Sequence, residues 1–447
     1  MSNTTIIRNA TLVNEGKTFV SDLLMKHGRI ERIDSSFGVK EKLVEINAEG
    51  KYLLPGIIDD QVHFREPGLT HKADVFSESR AAVAGGVTSF MEMPNTIPPA
   101  FTLEELEKKY AIASRTSAAN YSFYLGTSND NLEEIKRLDP KKICGIKIFM
   151  GSSTGKLVVD NNEALENIFR EAPTLIATHC ETDSLIQMNL EFYLKEFGEE
   201  IPMEFHPMIR DAEQCLISSQ RAVEFARKYN SRLHIFHLST ASELSLFTNE
   251  IPLEQKRITA EVCVHHLHFS SADYAQLGGL IKCNPAIKAP EHRDALWTAL
   301  LDDRLDVIAT DHAPHTWEEK HAKGYSRVPS GLPLVQHGFN LMFEKVQEGK
   351  ISLEKLISKM CHAPARLFQI SERGYMREGY HADLFLFDPK KEWTVSRENI
   401  LYKCGWSPFE GISFRGKATH TFVNGELVCE DGKMAEGKVG QRLEFER

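Results

Sequence analysis

The chain has 447 residues, of which 42% are apolar and 26% charged, and its formal net charge is −10 at pH 7. This composition is ordinary for a soluble globular protein, and the acidic balance argues against a protein that binds nucleic acid or an anionic membrane. No apolar run approaches the length of a membrane span, the start MSNTTIIRNATLV lacks a secretory signal pattern, and the eight cysteines form no C-x-x-C pair, so we expect a cytoplasmic protein with reduced thiols.

The two ends of the chain predict β-structure. Residues 1–52 alternate apolar and polar side chains, with turns at NEGK and KHGR. Near the other end, ADLFLFD predicts a strand, and THTFV and ELVCE flank Asn424-Gly425, a dipeptide typical of two-residue hairpin turns. Neither end alone is long enough to bury a sandwich core, so we expect residues 1–52 and 369–447 to combine into one small β-sandwich domain.

Between the ends, short apolar runs alternate with helix-like segments. The runs are LLPGIID, VTSFMEM, YSFYLG, GIKIFM, TLIAT, LHIF, ITAEVCV and DVIAT. The helix-like segments include 73–84, 102–117, 130–138, 161–171, 209–229 and 290–303. A strand followed by a helix, repeated, predicts a parallel sheet, and eight such units predict a closed (β/α)₈ TIM-like barrel over residues 53–368. A doubly wound open sheet is the alternative.

Polar side chains follow the predicted strands at the ends where such a barrel carries its chemistry. His63, His179, His237 and Asp311 each follow a separate strand. Taken singly, a buried histidine is more often a core residue than a ligand. Imidazole and carboxylate together are what Zn²⁺ or a similar divalent ion requires, so the joint placement predicts a metal site.

The stretch DDQVHFREPG contains an irregular half of that site. Side chains two apart on a strand point the same way, so Gln61 and His63 share one face. An H-x-H pair at this place would be typical of a metal site, but the first position is glutamine. Whether the site still works with this residue is an open question at this stage.

Lys147 lies inside the apolar run GIKIFM. A lysine is costly to bury in its charged form, and this cost lowers its pKa. A neutral amine can react with carbon dioxide to give a carbamate, an anionic ligand able to bridge two cations. From the chemistry alone, a lysine that reaches the surface or forms a salt bridge is the favoured interpretation.

Other polar residues are candidate substrate contacts. Arg65, two residues after His63, offers a planar fork for a carboxylate, although an ordinary surface arginine fits equally well. Asn95 in MPNT and Asn284 in KCNPAIK follow strand ends and are placed to orient polar ring groups, and His315 continues the DHAPH cluster.

The run HHLH (265–268) beside Cys263 contains the residue types of a structural zinc site. Its spacing is crowded, so ordinary packing at the end of a strand is the favoured interpretation.

Together these stretches resemble the amidohydrolase superfamily and, in its cyclic-amide-hydrolase branch, the dihydroorotase family. The resemblance covers essentially the whole chain through PGIIDDQVHFREPG, AAVAGGVTSFMEMPNT, GIKIFM, ATHCE, HIFHLST, KCNPAIK, ATDHAPH, ADLFLFDP and SPFEG. It implies a (β/α)₈ barrel with a β-sandwich built from both termini. It also implies zinc-dependent, reversible hydrolysis of the cyclic amide of L-dihydroorotate to N-carbamoyl-L-aspartate in de novo pyrimidine biosynthesis.

The resemblance further implies roles for individual residues. His63 and Asp311 are ligands of one metal ion, His179 and His237 are ligands of a second, and an N-carboxylated Lys147 bridges the two. Asp311 is also the general acid/base. Arg65, Asn95 and His315 hold the substrate carboxylate, and Asn284 contacts the ring. One departure is Gln61, which stands where the family has the first histidine of H-x-H. We therefore expect the ion near His63 to be the more weakly bound of the two.

Two alternatives remain open. An allantoinase or dihydropyrimidinase would use the same barrel and metals on another cyclic amide, although the pairing of MPNT with DHAPH favours the first interpretation. A non-catalytic, dihydroorotase-like assembly partner would explain Gln61, but it would not explain why the other ligands are present. In the favoured interpretation the only partner is the small-molecule substrate dihydroorotate, apart from a possible homo-oligomer.

Overall fold

The computed structural model of the protein describes residues 4–35, 43–151, 158, 159, 161–437 and 439–447. The strands are β1 (Thr4–Asn14), β2 (Lys17–Lys26), β3 (Arg29–Asp34), β4 (Val44–Asn47), β5 (Tyr52–Pro55), β6 (Ile57–Val62), β7 (Val87–Glu92), β8 (Asn120–Phe123), β9 (Leu125–Gly126), β10 (Ile146–Met150), β11 (Ile176–Cys180), β12 (Leu233–Ile235), β13 (Ile258–Cys263), β14 (Val307–Ala309), β15 (Leu384–Thr394), β16 (Ser413–Val423), β17 (Glu426–Glu430) and β18 (Lys433–Met434). The α-helices are α1 (Val75–Ala84), α2 (Leu103–Thr116), α3 (Leu132–Lys136), α4 (Asn162–Glu171), α5 (Asp183–Phe197), α6 (His206–Ile209), α7 (Ala212–Tyr229), α8 (Val264–His268), α9 (Tyr274–Leu277), α10 (Pro290–Leu301), α11 (Trp317–Lys320), α12 (Gly338–Gln347), α13 (Leu353–Ile357) and α14 (Ala363–Phe368).

Strands β6 to β14 form a closed parallel barrel. They are hydrogen-bonded in the order β6-β7-β8 and β9-β10-β11-β12-β13-β14. β8 and β9 are one strand interrupted at Tyr124, whose N–H still donates to the Glu92 carbonyl at 3.1 Å. The His63 N–H donates to the His312 carbonyl at 2.7 Å, which joins the end of β6 to the segment after β14 and closes the ring. The predicted (β/α)₈ barrel is confirmed, and the open-sheet alternative is wrong.

The helices of the barrel follow the predicted segments. The six segments correspond to α1, α2, α3, α4, α7 and α10. Each helix is shorter than its segment by one or a few residues, and the segment 209–229 is also interrupted, because α6 ends at Ile209 and α7 begins only at Ala212. Asp211 between the two helices accepts the Gln214 N–H at 3.0 Å, as an N-cap does. None of the helices in the ranges above is long and apolar enough to span a membrane.

A nine-stranded sheet is built from both ends of the chain. Its order is β18-β17-β16-β15-β5-β1-β2-β3, with β4 paired to β1. β15 pairs with β5, so the two ends meet in one sheet as predicted. At the predicted hairpin, Asn424 and Gly425 have φ angles of 51° and 77°, the left-handed geometry of a two-residue turn. The domain limits at 52/53 and 368/369 remain predictions. β5 (Tyr52–Pro55), which spans the first of these limits, belongs to this sheet.

Aromatic side chains attach the sheet to the barrel. Phe385 and Phe387 of β15 contact Phe339 of α12, with ring centroids 5.1 and 5.0 Å apart. All three rings are buried, and burying one phenylalanine stabilises a fold by about 1.5–3 kcal/mol. The sheet therefore holds one of the barrel's outer helices in place.

Candidate active site

A cavity of about 340 Å³ opens where the barrel strands end. Its wall contains all the site residues predicted from the sequence: His63, Arg65, Asn95, Lys147, His179, His237, Asn284, Asp311 and His315. Gln61 lies in the same wall. The structure therefore brings together residues from seven separate strands and the loops that follow them, as the strand-end rule predicts.

His179 and His237 face each other in this cavity. Their Nδ1 and Nε2 atoms, respectively, lie 2.9 Å apart. The other nitrogen of His179, Nε2, lies 2.8 Å from Glu181 Oε2, and Arg210 Nη1 donates to the same oxygen at 2.6 Å. A carboxylate that accepts the outer N–H of a histidine fixes the ring so that its inner nitrogen is available to a metal ion. Nδ1 of His237 has no hydrogen-bond partner among the described residues.

His63 and Asp311 form a second converging pair. His63 Nε2 lies 3.2 Å from Asp311 Oδ1. His63 Nδ1 lies 2.8 Å from Asn95 Oδ1, so the proton of the neutral ring belongs on Nδ1 and the lone pair of Nε2 points toward Asp311. Burial raises the pKa of Asp311 to about 6, against the opposing effects of His265 and Lys147.

Lys147 lies between these two pairs, at the base of the cavity. Its side chain is only 1% exposed, and in the described part of the chain Nζ makes no hydrogen bond. The nearest aromatic contact is the Phe236 ring, whose centroid lies 4.1 Å from Nζ. Burial lowers the pKa of Lys147 to about 7, although Glu261 opposes the shift. The interpretation of Lys147 as a lysine that reaches the surface or forms a salt bridge therefore does not agree with its surroundings among the described residues.

Arg65 is held rigidly in the wall. Its Nε donates to the Pro314 carbonyl at 3.1 Å, and Nη2 lies 3.1 Å from Nε2 of His315. Burial lowers the pKa of Arg65 only to about 10, so the guanidinium is positive at neutral pH. His315 Nδ1 in turn lies 3.1 Å from Lys72 Nζ. The interpretation of Arg65 as an ordinary surface arginine is therefore wrong.

Three residues of the site have left-handed backbone conformations. The φ angles of Arg65, His237 and Asp311 are 67°, 40° and 47°. Such conformations cost non-glycine residues about 1–3 kcal/mol each and persist where the surrounding structure requires them. The backbone strain is therefore concentrated at the residues that line the cavity.

Gln61 is almost fully buried, with 2% of its surface exposed. The Cys263 thiol donates to its side-chain oxygen at 3.5 Å. The amide oxygen is therefore already engaged by Cys263, which agrees with a weak role at the predicted metal position.

The donor set fits a pair of divalent ions. Imidazole nitrogens and a carboxylate converge on the cavity, one nitrogen of His237 is unsatisfied, and the buried amine of Lys147 has no partner within the described ranges. Buried polar atoms in native proteins are nearly always satisfied, so these atoms indicate an absent ligand.

Several residues of the site escaped the sequence analysis. The sequence could have indicated Glu181 as a site residue, because it follows His179 by two residues in ATHCE and its side chain therefore points to the same face of the strand. No sequence pattern indicates Lys282 or Lys320 as a site residue. The Lys282 ammonium donates to the Tyr325 and Val328 carbonyls at 2.6 and 2.8 Å. Lys320 donates to the Pro329 and Gly331 carbonyls of the same segment, so the two lysines hold this part of the cavity wall in place.

Comparisons with known proteins agree with this geometry. The model of the Amidohydrolase family matches residues 52–428. The chain is 32% identical to a dihydroorotase of Methanothermobacter thermautotrophicus, covering 93% of this chain and 96% of that protein. It is 33% identical to a dihydroorotase of Pyrococcus abyssi, again covering 93% and 96%. Among solved structures, the L-hydantoinase (dihydropyrimidinase) of Arthrobacter aurescens matches with a TM-score of 0.92 and 26% identity, covering 99% of this chain and 100% of that chain.

The chain therefore belongs to the amidohydrolase family. The relatives that match it over nearly their whole length include dihydroorotases, as the sequence motifs predicted.

Proposed function

We propose that this chain is a dihydroorotase, which reversibly hydrolyses the cyclic amide of L-dihydroorotate to N-carbamoyl-L-aspartate in de novo pyrimidine biosynthesis. The observation that carries the proposal is the buried guanidinium of Arg65, which lies beside His315 in the cavity that holds the metal ligands. A cyclic amide is itself neutral. A buried cation in the same cavity therefore favours a ring that carries a carboxylate.

We infer that the site holds two zinc ions. His63 and Asp311 would hold one, and His179 and His237 would hold the other. A carbamate formed on Lys147 would supply an anionic oxygen ligand to both; the amine has no hydrogen-bond partner among the described residues, and its pKa of about 7 favours the neutral form that reacts with carbon dioxide. When bound, divalent ions would supply polarisation of the ring carbonyl and a water acidic enough to attack near neutral pH.

The remaining roles belong to side chains of the cavity. In hydrolysis, Asp311 takes the proton of the attacking water on a carboxylate oxygen and passes it to the leaving ring nitrogen. Arg65, Asn95 and His315 hold the substrate carboxylate. Asn284, whose Oδ1 has no partner among the described residues, accepts a hydrogen bond from the ring.

Turnover of L-dihydroorotate, measured beside the metal content of the same preparation, tests the proposal. We expect hydrolysis and ring closure, and little turnover of dihydrouracil, hydantoin or allantoin, whose rings lack the carboxylate. A preference for one of these three would overturn the substrate assignment. A metal-replete protein that turns over none of the four would identify the non-catalytic assembly partner instead.

A further inference from the structure

A second group of metal-ligand side chains lies behind the cavity wall. It consists of Cys263, the last residue of β13, and of His265 and His266 in the short helix α8. One ligand atom from each of the three residues lies within 4.8 Å of the other two. None of these side chains belongs to the metal-ligand set described above. All three are buried, and His266, the most accessible, is only 3% exposed.

The histidines of this group have unused nitrogen atoms. His266 Nε2 lies 3.1 Å from the Pro285 carbonyl, so its proton is held there and the lone pair lies on Nδ1, which has no hydrogen-bond partner in the described part of the chain. Neither nitrogen of His265 makes a hydrogen bond of normal geometry to a described residue, although the Thr310 backbone interacts with the ring. Leaving a buried polar atom unsatisfied costs about 1–3 kcal/mol.

Packing alone does not account for this arrangement. The rings of His265 and His266 are in contact, with centroids 4.1 Å apart. That contact would be made as well by apolar rings, which would leave no nitrogen unsatisfied. A histidine whose outer N–H is held by a backbone carbonyl, as in His266, is the usual form of a metal ligand.

Gln61 lies at the edge of the same group. Its Oε1 is 3.5 Å from Cys263 Sγ. Ligand atoms bound about 2.0–2.3 Å from one tetrahedral zinc ion lie roughly 3.3–3.8 Å apart, so this separation fits two ligands of one ion. Glu261 Oε1 lies 3.8 Å from the same sulfur. Gln61 also lines the cavity, so it borders both groups of side chains.

We propose that Cys263, His265 and His266 bind one thiophilic divalent ion such as Zn²⁺, separate from the ions around Lys147, with the Gln61 amide oxygen as the fourth ligand. The thiol loses its proton when the ion binds, so binding releases one proton per site. The proposal does not depend on the substrate of the cavity. It gives Gln61 a function that its position in the H-x-H pattern does not explain.

Cobalt substitution distinguishes this site from the cavity. Metal-depleted protein is reloaded with Co²⁺, and the near-ultraviolet thiolate-to-cobalt charge-transfer band and the number of bound ions are measured. The ligands proposed for the cavity ions include no sulfur, so the band reports on Cys263. We expect the band in the unaltered chain, and its loss with one ion fewer per chain in Cys263→Ala.

Cys180→Ala is the matched control, because Cys180 is another buried thiol near Lys147, and its sulfur donates to the Thr178 hydroxyl at 3.3 Å. This variant keeps the band and the full ion count. His237→Asn, which weakens the cavity site, also keeps the band. A Cys263→Ala protein with an unchanged band and ion count overturns the proposal.

Zinc-edge X-ray absorption of the unaltered, zinc-loaded protein gives a test that no variant can spoil by failing to fold. We expect a sulfur scatterer at about 2.3 Å from zinc. Spectra described fully by nitrogen and oxygen neighbours overturn the proposal even if every variant is unstable. Because both readouts are spectroscopic, a failure to hydrolyse dihydroorotate leaves them unaffected, and their own failure leaves the cavity's function untouched.

Discussion

Two buried lysines of the barrel show how the surroundings of a residue decide its chemistry. Lys109 Nζ donates to the Met93 carbonyl at 2.7 Å and pairs with Glu92. Lys147 Nζ, which has no hydrogen-bond partner in the ranges described, lies against the ring of Phe236. A paired amine is stabilised as a charge, whereas an unpaired buried amine loses its proton readily and becomes a nucleophile. Only the second environment suits a carbamate.

Lys147→Ala should therefore lose metal and activity together, because the bridging ligand is gone. A short added carboxylic acid should restore part of both by occupying the vacated space. Metal analysis and turnover with and without the acid measure this. Lys109→Met is the matched control: it should lower the stability, since Glu92 is left unpaired, yet retain the metal. A Lys147→Ala protein with its full metal content would contradict the bridge.

Arg65→Met should lower kcat/KM for dihydroorotate, because the substrate carboxylate is left in the cavity without its charged partner. The loss of transition-state stabilisation calculated from the ratio of kcat/KM values should be about 2–5 kcal/mol. Metal content should not change, since Arg65 is not a proposed ligand. Steady-state kinetics with metal analysis checks both statements. Arg80→Met, which alters an arginine on the outer helix α1, should leave both quantities unchanged. Near-normal hydrolysis by Arg65→Met would show that the carboxylate is bound elsewhere.

The ion near His63 should be removed by chelators before the ion held by His179 and His237. A neutral amide oxygen is a poorer zinc ligand than imidazole, and the oxygen of Gln61 is already engaged by Cys263. Gln61→His should tighten the weaker phase at least about tenfold. The metal released during a chelator titration measures the affinity of each phase. An ion at Cys263 is identified by repeating the titration with Cys263→Ala, which should lack that ion. Release of both cavity ions at one affinity would be the contrary result.

At the scale of strands and helices, the position of a side chain was predictable wherever a regular period fixed it. The alternation of side chains along strands and the meeting of strand ends are enough to predict that His63, His179 and Asp311 lie close together. Arg210 was not predictable, because it lies in the irregular segment between α6 and α7 and reaches Glu181 only through the tertiary fold. The break in the predicted helix 209–229 was not predictable either, because it depends on the local N-cap that Asp211 forms for α7.

Three strands of the barrel, two of them neighbours, are linked by a buried group of ionisable side chains. His234 of β12 lies 3.3 Å from Asp60 of β6 and 3.4 Å from Glu261 of β13. Burial disfavours the imidazolium, but the hydrogen bonds and charges of Asp60 and Glu261 outweigh this effect and raise the pKa of His234 to about 9. Glu261 also has a raised pKa, chiefly through burial and the charge of Asp60.

This group should make the protein less stable as the solution becomes alkaline. The folded state keeps a proton on His234 that the unfolded chain releases near pH 6.5, so the stabilisation is complete below about pH 6.5 and is lost by about pH 9. Urea unfolding at a series of pH values measures the slope. Asp60→Asn should flatten it by removing one carboxylate, whereas Asp388→Asn, far along β15, should not. A slope unchanged in Asp60→Asn would contradict the assignment.

At the scale of the whole molecule, the last residues of the chain close the end of the barrel opposite the cavity. The Arg447 guanidinium donates to the carbonyls of Ile143, Cys144 and Phe368 at 3.2, 2.8 and 2.8 Å. Leu443 N–H donates to the Tyr121 carbonyl at 2.9 Å and extends the pairing beside β8. The fold class was predictable from repeated strands and helices, but this closure was not, because no periodic pattern marks it.

Arg447→Met should lower the free energy of unfolding by about 2–4 kcal/mol, because buried backbone carbonyls lose their donor. Activity of the folded protein should be nearly unchanged, since the cavity lies at the other end of the strands. Denaturant unfolding and kinetics measure the two effects. Arg442→Met, which removes a neighbouring and more exposed arginine that donates to Lys142, should cost much less. Equal losses in both variants would contradict the role given to Arg447.

The sheet shared by the two chain ends also sets the timing of folding in the cell. The Asn14 side chain donates to the Met376 carbonyl, 362 residues later in the chain. At about 5–20 residues per second, a ribosome needs roughly 20–70 s to make the intervening chain. Throughout that time β5 lacks β15 and presents an open strand edge, which is a template for pairing with another chain. A nascent molecule of this protein therefore needs its first strands shielded until its last ones emerge.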